Sequence, residues 1–555
     1  MMVLRSLDEL AMFARASGAT LDDDTLRQAA AAMDVWWDEM LALRSIDLGY
    51  CAPVPALEPR TAPPIATRRA PQLRESSLVP HATVAPTNLA DCTASELLAL
   101  YAAGAATPLD TVEACLARIE RVDPLINSVI TLVADRARNA AQESTRRWSS
   151  GTARALDGVP FGLKDNIETA GIRTTGGSNV RAHLIPSESA VVVDRLEAAG
   201  AILLAKLATT EFACGGAINP WYGAVRNPWD IERFAGSSSS GPGGATGARL
   251  VPFSIGTDTL GSIRVPAICC GVVGLKPTYG RVPRHGVMPL SWTMDHVGPL
   301  ARSVEDCARV LDVIGGPDAR DEASMYDAMP NMLEALGPSL SGVRIGALRS
   351  FYEPLSDDAV VRSMNSALEV LRDAGAEVVD VAVPGIEHSF AAGWMALLCE
   401  GACLHEELWN DPSRYDPGLV FRLLVGKLAP ATDYVRALRM RTYIQQRFCE
   451  TLDHVDLIAL PGMVDVAPRY DDLNFNVNGT RWPLQKQHAR FTGPGNVTGL
   501  PAICVPSGLG RDDMPVALQL YGARNRDDLV LRAAHAFQLR TDHHRVMPTG
   551  IAALL

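Results

Sequence analysis

The hydrophobic positions of this chain recur at two periods, which predict helices separated by short strands. Thr93 and Glu96 are spaced as in a capping box and open a helix that we expect to end near Ala103. Pro108 fits the first turn of a second helix, which we expect to reach Arg121. The same periodicity predicts two further helices, at 189–200 and 358–374.

Short apolar runs lie between the helical stretches. They occupy residues 201–204, 343–348, 377–383 and 455–460. Runs of this length without helical periodicity are typical of buried strands. Because strands and helices alternate, we predict an α/β fold: a mixed, largely parallel sheet covered by helices on both faces.

The first 87 residues have a different pattern. The spacing of apolar residues in 1–50 predicts a small helical segment. Its apolar positions share one face: Leu26, Ala30, Met33, Trp37 and Met40. This stripe must be buried, so we expect the segment to dock on the main body or on a second subunit. Residues 51–87 contain eight prolines and predict a linker, which leaves 88–548 as the main domain.

Composition and charge narrow the class of protein. The chain has 555 residues, of which 47% are hydrophobic, enough for a large core. The formal net charge is −12, and the absence of a long basic run predicts no nucleic-acid and no membrane partner. No apolar run is long enough to cross a bilayer, and the N-terminus lacks the apolar region of a signal peptide. The eleven irregularly spaced cysteines predict reduced thiols in the cytoplasm.

Residues 235–247 form a tract of glycines and serines. Such a composition alone is typical of a linker. Here element-forming sequence lies close on both sides, which favours backbone packed against a ligand instead. The tract lacks the patterns of phosphate-binding and dinucleotide-binding loops, and it lacks the Gly-x-Ser-x-Gly nucleophile elbow.

Three segments, taken together and in order, resemble the amidase signature family. Residues 158–166 are similar to its Pro-x-x-x-Lys-Asp stretch, and the tract at 235–247 to its Gly-Gly-Ser-Ser-Gly-Gly loop. Residues 256–264 are similar to its Gly-Thr-Asp-x-Gly-Gly-Ser-Ile-Arg stretch. The resemblance covers roughly 88–548. It implies a serine amidohydrolase that cleaves carboxamide C–N bonds, aryl amides and carbamates included, with no cofactor and no metal.

The resemblance assigns a catalytic triad by position. Ser262 matches the nucleophile, Lys164 the general base, and Ser238 the serine that bridges them through a cis peptide bond. A serine hydroxyl is a weak nucleophile until a neighbouring group takes its proton. Lysine can do so only when it is neutral, so burial must lower its pKa.

The resemblance also implies supporting roles around the triad. The oxyanion hole matches the backbone N–H groups of Thr259, Leu260 and Gly261. The candidates for substrate binding are Gly236, Ser237 and Ser239. The candidates for holding the nucleophile loop, by charge-assisted hydrogen bonds, are Asp258 and Arg264.

The sequence departs from the family pattern near both serines. Leu260 stands where the family has glycine, and a positive φ there would strain a leucine. Ser240 replaces another glycine, and Pro242 removes a backbone donor. These changes leave the triad intact and bear on substrate size and loop geometry.

Other assignments stay open at this point. The expected partners are a small-molecule amide and water, with a second copy of the chain in a homodimer. The alternatives are a glutamyl-tRNA amidotransferase subunit of the A type, or a non-catalytic binding protein on the same scaffold. Two histidines near the nucleophile could touch substrate: His285 and His296. The apolar candidates for the pocket are Met288, Trp292, Trp394, Tyr415 and Trp482.

Overall fold

The helices and strands that the periodicity predicts in the main domain are present, among others that it does not predict. The computed structural model describes residues 8, 11, 12, 15, 21, 23, 26, 27, 41–49, 51–53 and 88–554. The strands of this part are β1 Val129–Leu132, β2 Pro160–Lys164, β3 Ile202–Leu207, β4 Phe253–Asp258, β5 Val273–Lys276, β6 His296–Ala301, β7 Arg344–Ala347, β8 Glu377–Asp380, β9 Leu457–Pro461, β10 Asn474–Val477, β11 Thr480–Pro483, β12 Ala502–Leu509 and β13 Pro515–Gly522.

The helices of the same part surround the strands. They are α1 Ala94–Ala102, α2 Pro108–Ile126, α3 Ala134–Ser149, α4 Val191–Ala198, α5 Ser240–Gly247, α6 Arg264–Cys270, α7 Val304–Ile314, α8 Met332–Ala335, α9 Arg349–Tyr352, α10 Asp358–Asp373, α11 Ser389–Leu404, α12 Pro417–Leu428, α13 Ala431–Leu452, α14 Leu484–Gln487, α15 Gly493–Thr498 and α16 Asp527–Gln538. None of the described helices is both long enough and apolar enough to span a bilayer.

Local sequence signals set several helix ends. The side chains of Thr93 and Glu96 each bond the other's backbone N–H, which confirms the predicted capping box of α1. Pro108 occupies the first turn of α2, as predicted. This helix continues past Arg121 and ends only where Asn127 adopts a left-handed conformation, with φ of 58°.

Eleven of the described strands form one mixed sheet, in the order β1-β3-β2-β4-β6-β5-β12-β13-β9-β7-β8. Four pairs are parallel: β2–β3, β2–β4, β7–β8 and β7–β9. Six pairs are antiparallel: β1–β3, β4–β6, β5–β6, β5–β12, β12–β13 and β9–β13. The mixed sheet flanked by helices is confirmed, but the expectation of a largely parallel sheet is wrong. Short connections, such as that between β12 and β13, allow only antiparallel neighbours.

The two parallel strands β2 and β4 position the chemistry. They pair side by side, with Leu163 opposite Ile255. Lys164 is the last residue of β2, and Asp258 is the last residue of β4. Because the carboxyl ends of parallel strands meet at one edge, the two predicted motif segments converge there.

The glycine and serine tract is part of this core and is not a linker. Its second half forms α5, and all eight residues of that helix are buried. A Cβ atom at Gly241 would lie 2.3 Å from the backbone nitrogen of Ala208, so only glycine allows this approach of helix to strand.

The described end of the N-terminal segment docks on α13. Arg44 pairs with Asp433, with Nη2 and Oδ2 2.5 Å apart. Arg439 donates to the carbonyl oxygen of Cys51 at 2.7 Å. Leu26 is buried, whereas the other predicted stripe residues and the linker at 54–87 lie outside the described residues.

Candidate active site

Three separate segments bring the predicted triad together. Lys164 comes from the end of β2, Ser238 from the turn before α5, and Ser262 from the loop between β4 and α6. The side chain of Lys164 is fully buried, and its Nζ donates to Ser238 Oγ at 2.8 Å. The lysine and the bridging serine therefore meet as the resemblance implied.

Ser262 is bonded differently from the expectation. Its Oγ accepts a hydrogen bond of 3.1 Å from the hydroxyl of Ser237, the neighbour of the predicted bridging serine. Among the described residues, no hydrogen bond joins Ser238 to Ser262. The peptide bonds of the described residues are trans, so the bridging serine is reached here without the cis bond that the resemblance implied.

The surroundings of Lys164 favour a neutral amine. Burial lowers the pKa of Lys164 to about 7, against the opposing fields of the Asp258 and Asp295 carboxylates. Asp165, the next residue along the chain, faces away, toward the hydroxyl of Thr175 and the amine of Lys206. No carboxylate thus pairs with Lys164 among its described neighbours.

A buried ion pair shapes the nucleophile loop. The carboxylate of Asp258 accepts a hydrogen bond from the Arg264 guanidinium at 3.0 Å and another from the N–H of Gly261 at 2.6 Å. Burial disfavours the carboxylate, but the guanidinium outweighs burial and holds the pKa of Asp258 below its usual range. Asn496 of α15 bonds both partners, donating to Asp258 and accepting from Arg264. These contacts are the ones expected of residues that hold the loop.

The same ion pair divides the predicted oxyanion donors. The N–H of Gly261 is turned toward Asp258, so it does not face the cavity. This part of the predicted oxyanion hole is not available in the structure, because the carboxylate is the stronger acceptor. The N–H groups of Thr259 and Leu260 have no hydrogen-bond partner among the described residues, and both residues line the cavity.

Gly261 rather than Leu260 takes the strained backbone conformation. Gly261 has φ of 123°, and a Cβ there would lie 2.2 Å from Thr492 Oγ1. Leu260 has no positive φ, so no backbone strain arises at this position. Its side chain is buried against α11, where a Cβ at Gly393 would lie 2.5 Å from Leu260 Cδ2.

A cavity of about 210 Å³ opens in front of Ser262. Both candidate residues Gly236 and Ser237 line it, and Trp394 lines its apolar wall. Ser239, the third candidate for substrate binding, is not among the residues that line the cavity. Its hydroxyl is directed at the backbone of β4 and donates to the carbonyl oxygen of Thr257 at 3.1 Å.

One guanidinium borders this cavity. Arg422 of α12 lies with its carbon 5.6 Å from the ring centre of Trp394. Its Nη1 donates to the carbonyl oxygens of Cys214 and Gly215 at 2.7 and 2.6 Å. No sequence motif marks this arginine, since helical spacing alone does not separate a pocket residue from a surface residue.

A second cavity, of about 610 Å³, lies next to the first and shares three lining residues with it: Ala213, Thr259 and Leu290. Met288, Trp292 and His285 line this second cavity. His296 lines it too, but is buried, and burial holds the pKa of its imidazole well below the usual range. Neither cavity is lined by the remaining two aromatic candidates, Tyr415 and Trp482.

Two polar residues beside Lys164 were given no role from the sequence. Thr257 Oγ1 accepts from Lys164 Nζ at 2.7 Å and from Asn166 Nδ2 at 3.2 Å. Both residues lie within the motif segments quoted above, at the ends of adjacent parallel strands. Their position at that shared edge was the signal that could have singled them out.

Comparison of this chain with known protein families and structures agrees with this geometry. A family model named Amidase matches residues 110–531, more than half of the chain. The chain belongs to this family of amidase signature enzymes, which act on carbon–nitrogen bonds. The resemblance inferred from the motifs is thereby confirmed.

Relatives and solved structures cover most of the chain. The A subunit of glutamyl-tRNA(Gln) amidotransferase from Geotalea daltonii is 35% identical, over 79% of this chain and 94% of its own. The protein of that name from Chloroflexus aurantiacus is 36% identical, over 83% and 99%. A solved structure described simply as an amidase is 31% identical, with a TM-score of 0.74, over 81% of this chain and all of its own.

A further solved chain comes from a complex described as vestigial, in work on the origins of an s-triazine catabolic enzyme. It is 36% identical to this chain, with a TM-score of 0.77, and the match covers 81% and 98% of the two chains.

These relatives overturn the expected partners. By name they are single subunits of an enzyme that involves a transfer RNA. The expectation of a homodimer that meets only a small-molecule amide and water, without nucleic acid, is therefore wrong. The acidic net charge misled because it describes this chain's surface alone and says nothing of contacts made by other subunits.

Proposed function

We propose that this chain is the amide-cleaving subunit of an amidotransferase-type assembly, which releases ammonia from a carboxamide donor. One observation carries the proposal: the buried pair of Lys164 and Ser238 lies beside Ser262 at the base of a cavity. Subunits of that type are 35–36% identical to this chain over most of its length. The donor would be a short carboxamide such as glutamine.

In this proposal Lys164 is the general base and Ser262 the nucleophile. Ser262 accepts from Ser237, which leaves its own proton free to be given to Ser238. The relay requires the Ser262 hydroxyl to rotate toward Ser238, which then passes a proton to Lys164. Attack on the amide carbon then forms a C–O bond, while Lys164 returns a proton through Ser238 to the departing nitrogen.

The N–H groups of Thr259 and Leu260 would hold the oxyanion of the tetrahedral intermediate. A single donor of this kind contributes roughly 2.7–4 kcal/mol. Ammonia leaves, and the acyl group stays on Ser262 as an ester. Water, activated by the same relay, or an acceptor amine then releases the acyl group.

The shape and charge of the cavity favour a small acyl group with a polar or anionic end. Its volume is about 210 Å³, and Trp394 and Leu260 limit it on the apolar side. Arg422 supplies a guanidinium whose Nη1 donates to two backbone carbonyls, whereas its other nitrogens have no hydrogen-bond partner among the described residues. A guanidinium in this position suits a carboxylate.

The second candidate is a free-standing amidohydrolase, which the motifs first suggested. It is favoured by the solved amidase at 31% identity. It is also favoured by the N-terminal segment, whose described end docks on α13. Aryl amides and carbamates would be its further substrates.

Ammonia release from the purified chain separates the two candidates. Glutamine, a simple aliphatic amide, an aryl amide and a carbamate are offered, with hydroxylamine to intercept the acyl-enzyme as a hydroxamate. An amidotransferase component should act on glutamine slowly alone and faster with partner subunits and tRNA. Rapid unaided turnover of the other amides supports the free-standing enzyme. Normal turnover by Ser262→Ala would exclude both.

The cysteines support a reducing location such as the cytoplasm. All eleven are unpaired, and most are buried. Fractionation of the source cells, followed by detection of the chain, tests this location directly.

A further inference from the structure

Thr257 is the second hydrogen-bond partner of the Lys164 amine. Lys164 Nζ lies 2.7 Å from Thr257 Oγ1 and 2.8 Å from Ser238 Oγ. Both hydroxyl-bearing residues are buried. Among the described residues, these are the two hydrogen bonds that Nζ makes.

A neutral amine has two N–H groups and one lone pair, and only the lone pair can take a proton. With Ser238 as its sole partner, the amine could rotate and present an N–H to Ser238 instead. A second acceptor restricts that freedom because it claims one of the two N–H groups and so fixes the orientation of the amine. We propose that Thr257 is a positioning residue, which holds one N–H of Lys164 and favours the orientation in which the lone pair of the neutral amine faces Ser238.

The surroundings of Thr257 suit this role. Asn166 Nδ2 donates to Thr257 Oγ1 at 3.2 Å, so that oxygen receives two N–H donors. The backbone of Thr257 is fixed on both sides, by pairing with Val297 of β6 and by the hydroxyl of Ser239. The Thr257 oxygen therefore has little freedom to move away from Lys164.

The charged groups around Lys164 set the direction of the effect on pH dependence. Asp258 and Asp295 both favour the ammonium form, whereas burial opposes it. Asp165 is engaged with Thr175 and Lys206. Acceptance of an N–H by Thr257 also favours the ammonium form, so loss of its hydroxyl should lower the pKa of Lys164 further.

The test compares Thr257→Val, which removes the hydroxyl at nearly constant shape, with Thr257→Ser, which keeps it. The pH–rate profile of hydroxamate formation is measured for each purified, folded variant. We expect kcat of Thr257→Val to fall about 100-fold at its plateau, with little change in KM. Its acid limb should move to lower pH. Thr257→Ser should retain both features of the wild type.

A purely structural threonine would give a different result. In that case Thr257→Val would lower the yield or thermal stability but keep the wild-type kcat and acid limb, and the proposal would be wrong. If Thr257→Val fails to fold, Asn166→Ala replaces it. It should show a smaller fall in kcat and a shift of the acid limb in the same direction, and a wild-type profile would again overturn the proposal.

This inference rests on the proposed role of Lys164, so the same assay includes Ser262→Ala and Lys164→Ala. If either retains substantial activity, the proposed function itself fails. If both are inactive while Thr257→Val matches the wild type, only the positioning role fails.

Discussion

At the scale of single residues, the chemistry depends on how few charges surround Lys164. The amine meets two hydroxyls, while the nearest aspartate in sequence, Asp165, is turned toward another lysine. An unperturbed lysine, with a pKa near 10.4, would be almost entirely protonated at pH 7. Here burial lowers the pKa to about 7, so a substantial fraction of the amine is free base near neutral pH.

The first prediction concerns the pH dependence of this base. In the proposed mechanism the active form is the neutral amine, so activity should rise with pH through about 7 and then reach a plateau. Lys164→Ala should lose about 100-fold to 10,000-fold in kcat. Lys164→Arg should not restore it, because guanidinium stays protonated. The measurement is the pH–rate profile of ammonia release, and an active arginine variant would contradict the mechanism.

The second prediction concerns Leu260, whose side chain fills space beside Gly393 of α11. Leu260→Ala should widen the cavity and raise turnover of bulkier amides relative to small ones. It should also lower the free energy of unfolding by about 2–5 kcal/mol. The control is Leu311→Ala in α7, an equal truncation at another buried site. An unchanged ratio of kcat/KM values for large and small amides would show that Leu260 does not limit substrate size.

At the scale of elements, the loop between β4 and α6 is held by the pair of Asp258 and Arg264. Both side chains are fully buried, and Asn496 connects the pair to α15. Loss of one member of a buried pair leaves an uncompensated charge, which is why such pairs are sensitive to single substitutions.

The third prediction follows from this pair. Arg264→Met should lower the free energy of unfolding by about 3–5 kcal/mol, measured by urea denaturation. The control is Arg372→Met, which removes an exposed pair with Glu369 and should change stability by less than about 1 kcal/mol. Equal effects of the two substitutions would mean that burial of the loop's pair is unimportant to its stability.

At the scale of the whole molecule, α13 connects the N-terminal segment to the site. On one side, Arg436 and Arg439 bind backbone carbonyls of residues 43–51. On the other side, Arg441 donates to the carbonyl oxygen of Val497 in α15, the helix that also carries Asn496. The extension therefore rests on an element that supports the nucleophile loop.

The fourth prediction tests the docking of this segment. In the double variant Arg436→Met, Arg439→Met, residues 41–53 should lose hydrogen-exchange protection and become more sensitive to protease, because five carbonyl contacts are removed. The control is Arg447→Met on the same helix, whose guanidinium pairs with Glu450. Equal protection of 41–53 in the double variant and this control would show that the carbonyl contacts do not hold the segment.

The sequence by itself determined several of the helices and strands and singled out the candidate chemical groups. Capping residues, proline positions and apolar periodicity are local signals, and they placed α1, α2 and the strands β3, β7, β8 and β9. The ordered motifs singled out Lys164, Ser238 and Ser262 through their resemblance to the family, and these three residues are the triad proposed above.

Only the tertiary structure decided how these groups face one another. The direction of strand pairing depends on connections across the sheet, which periodicity does not report. The approach of Thr257 to Lys164, the turn of Ser239 away from the cavity, and the use of the Gly261 N–H by Asp258 are contacts between segments. Burial, which lowers the pKa of Lys164, likewise arises only when β2, β4 and their covering helices have packed together.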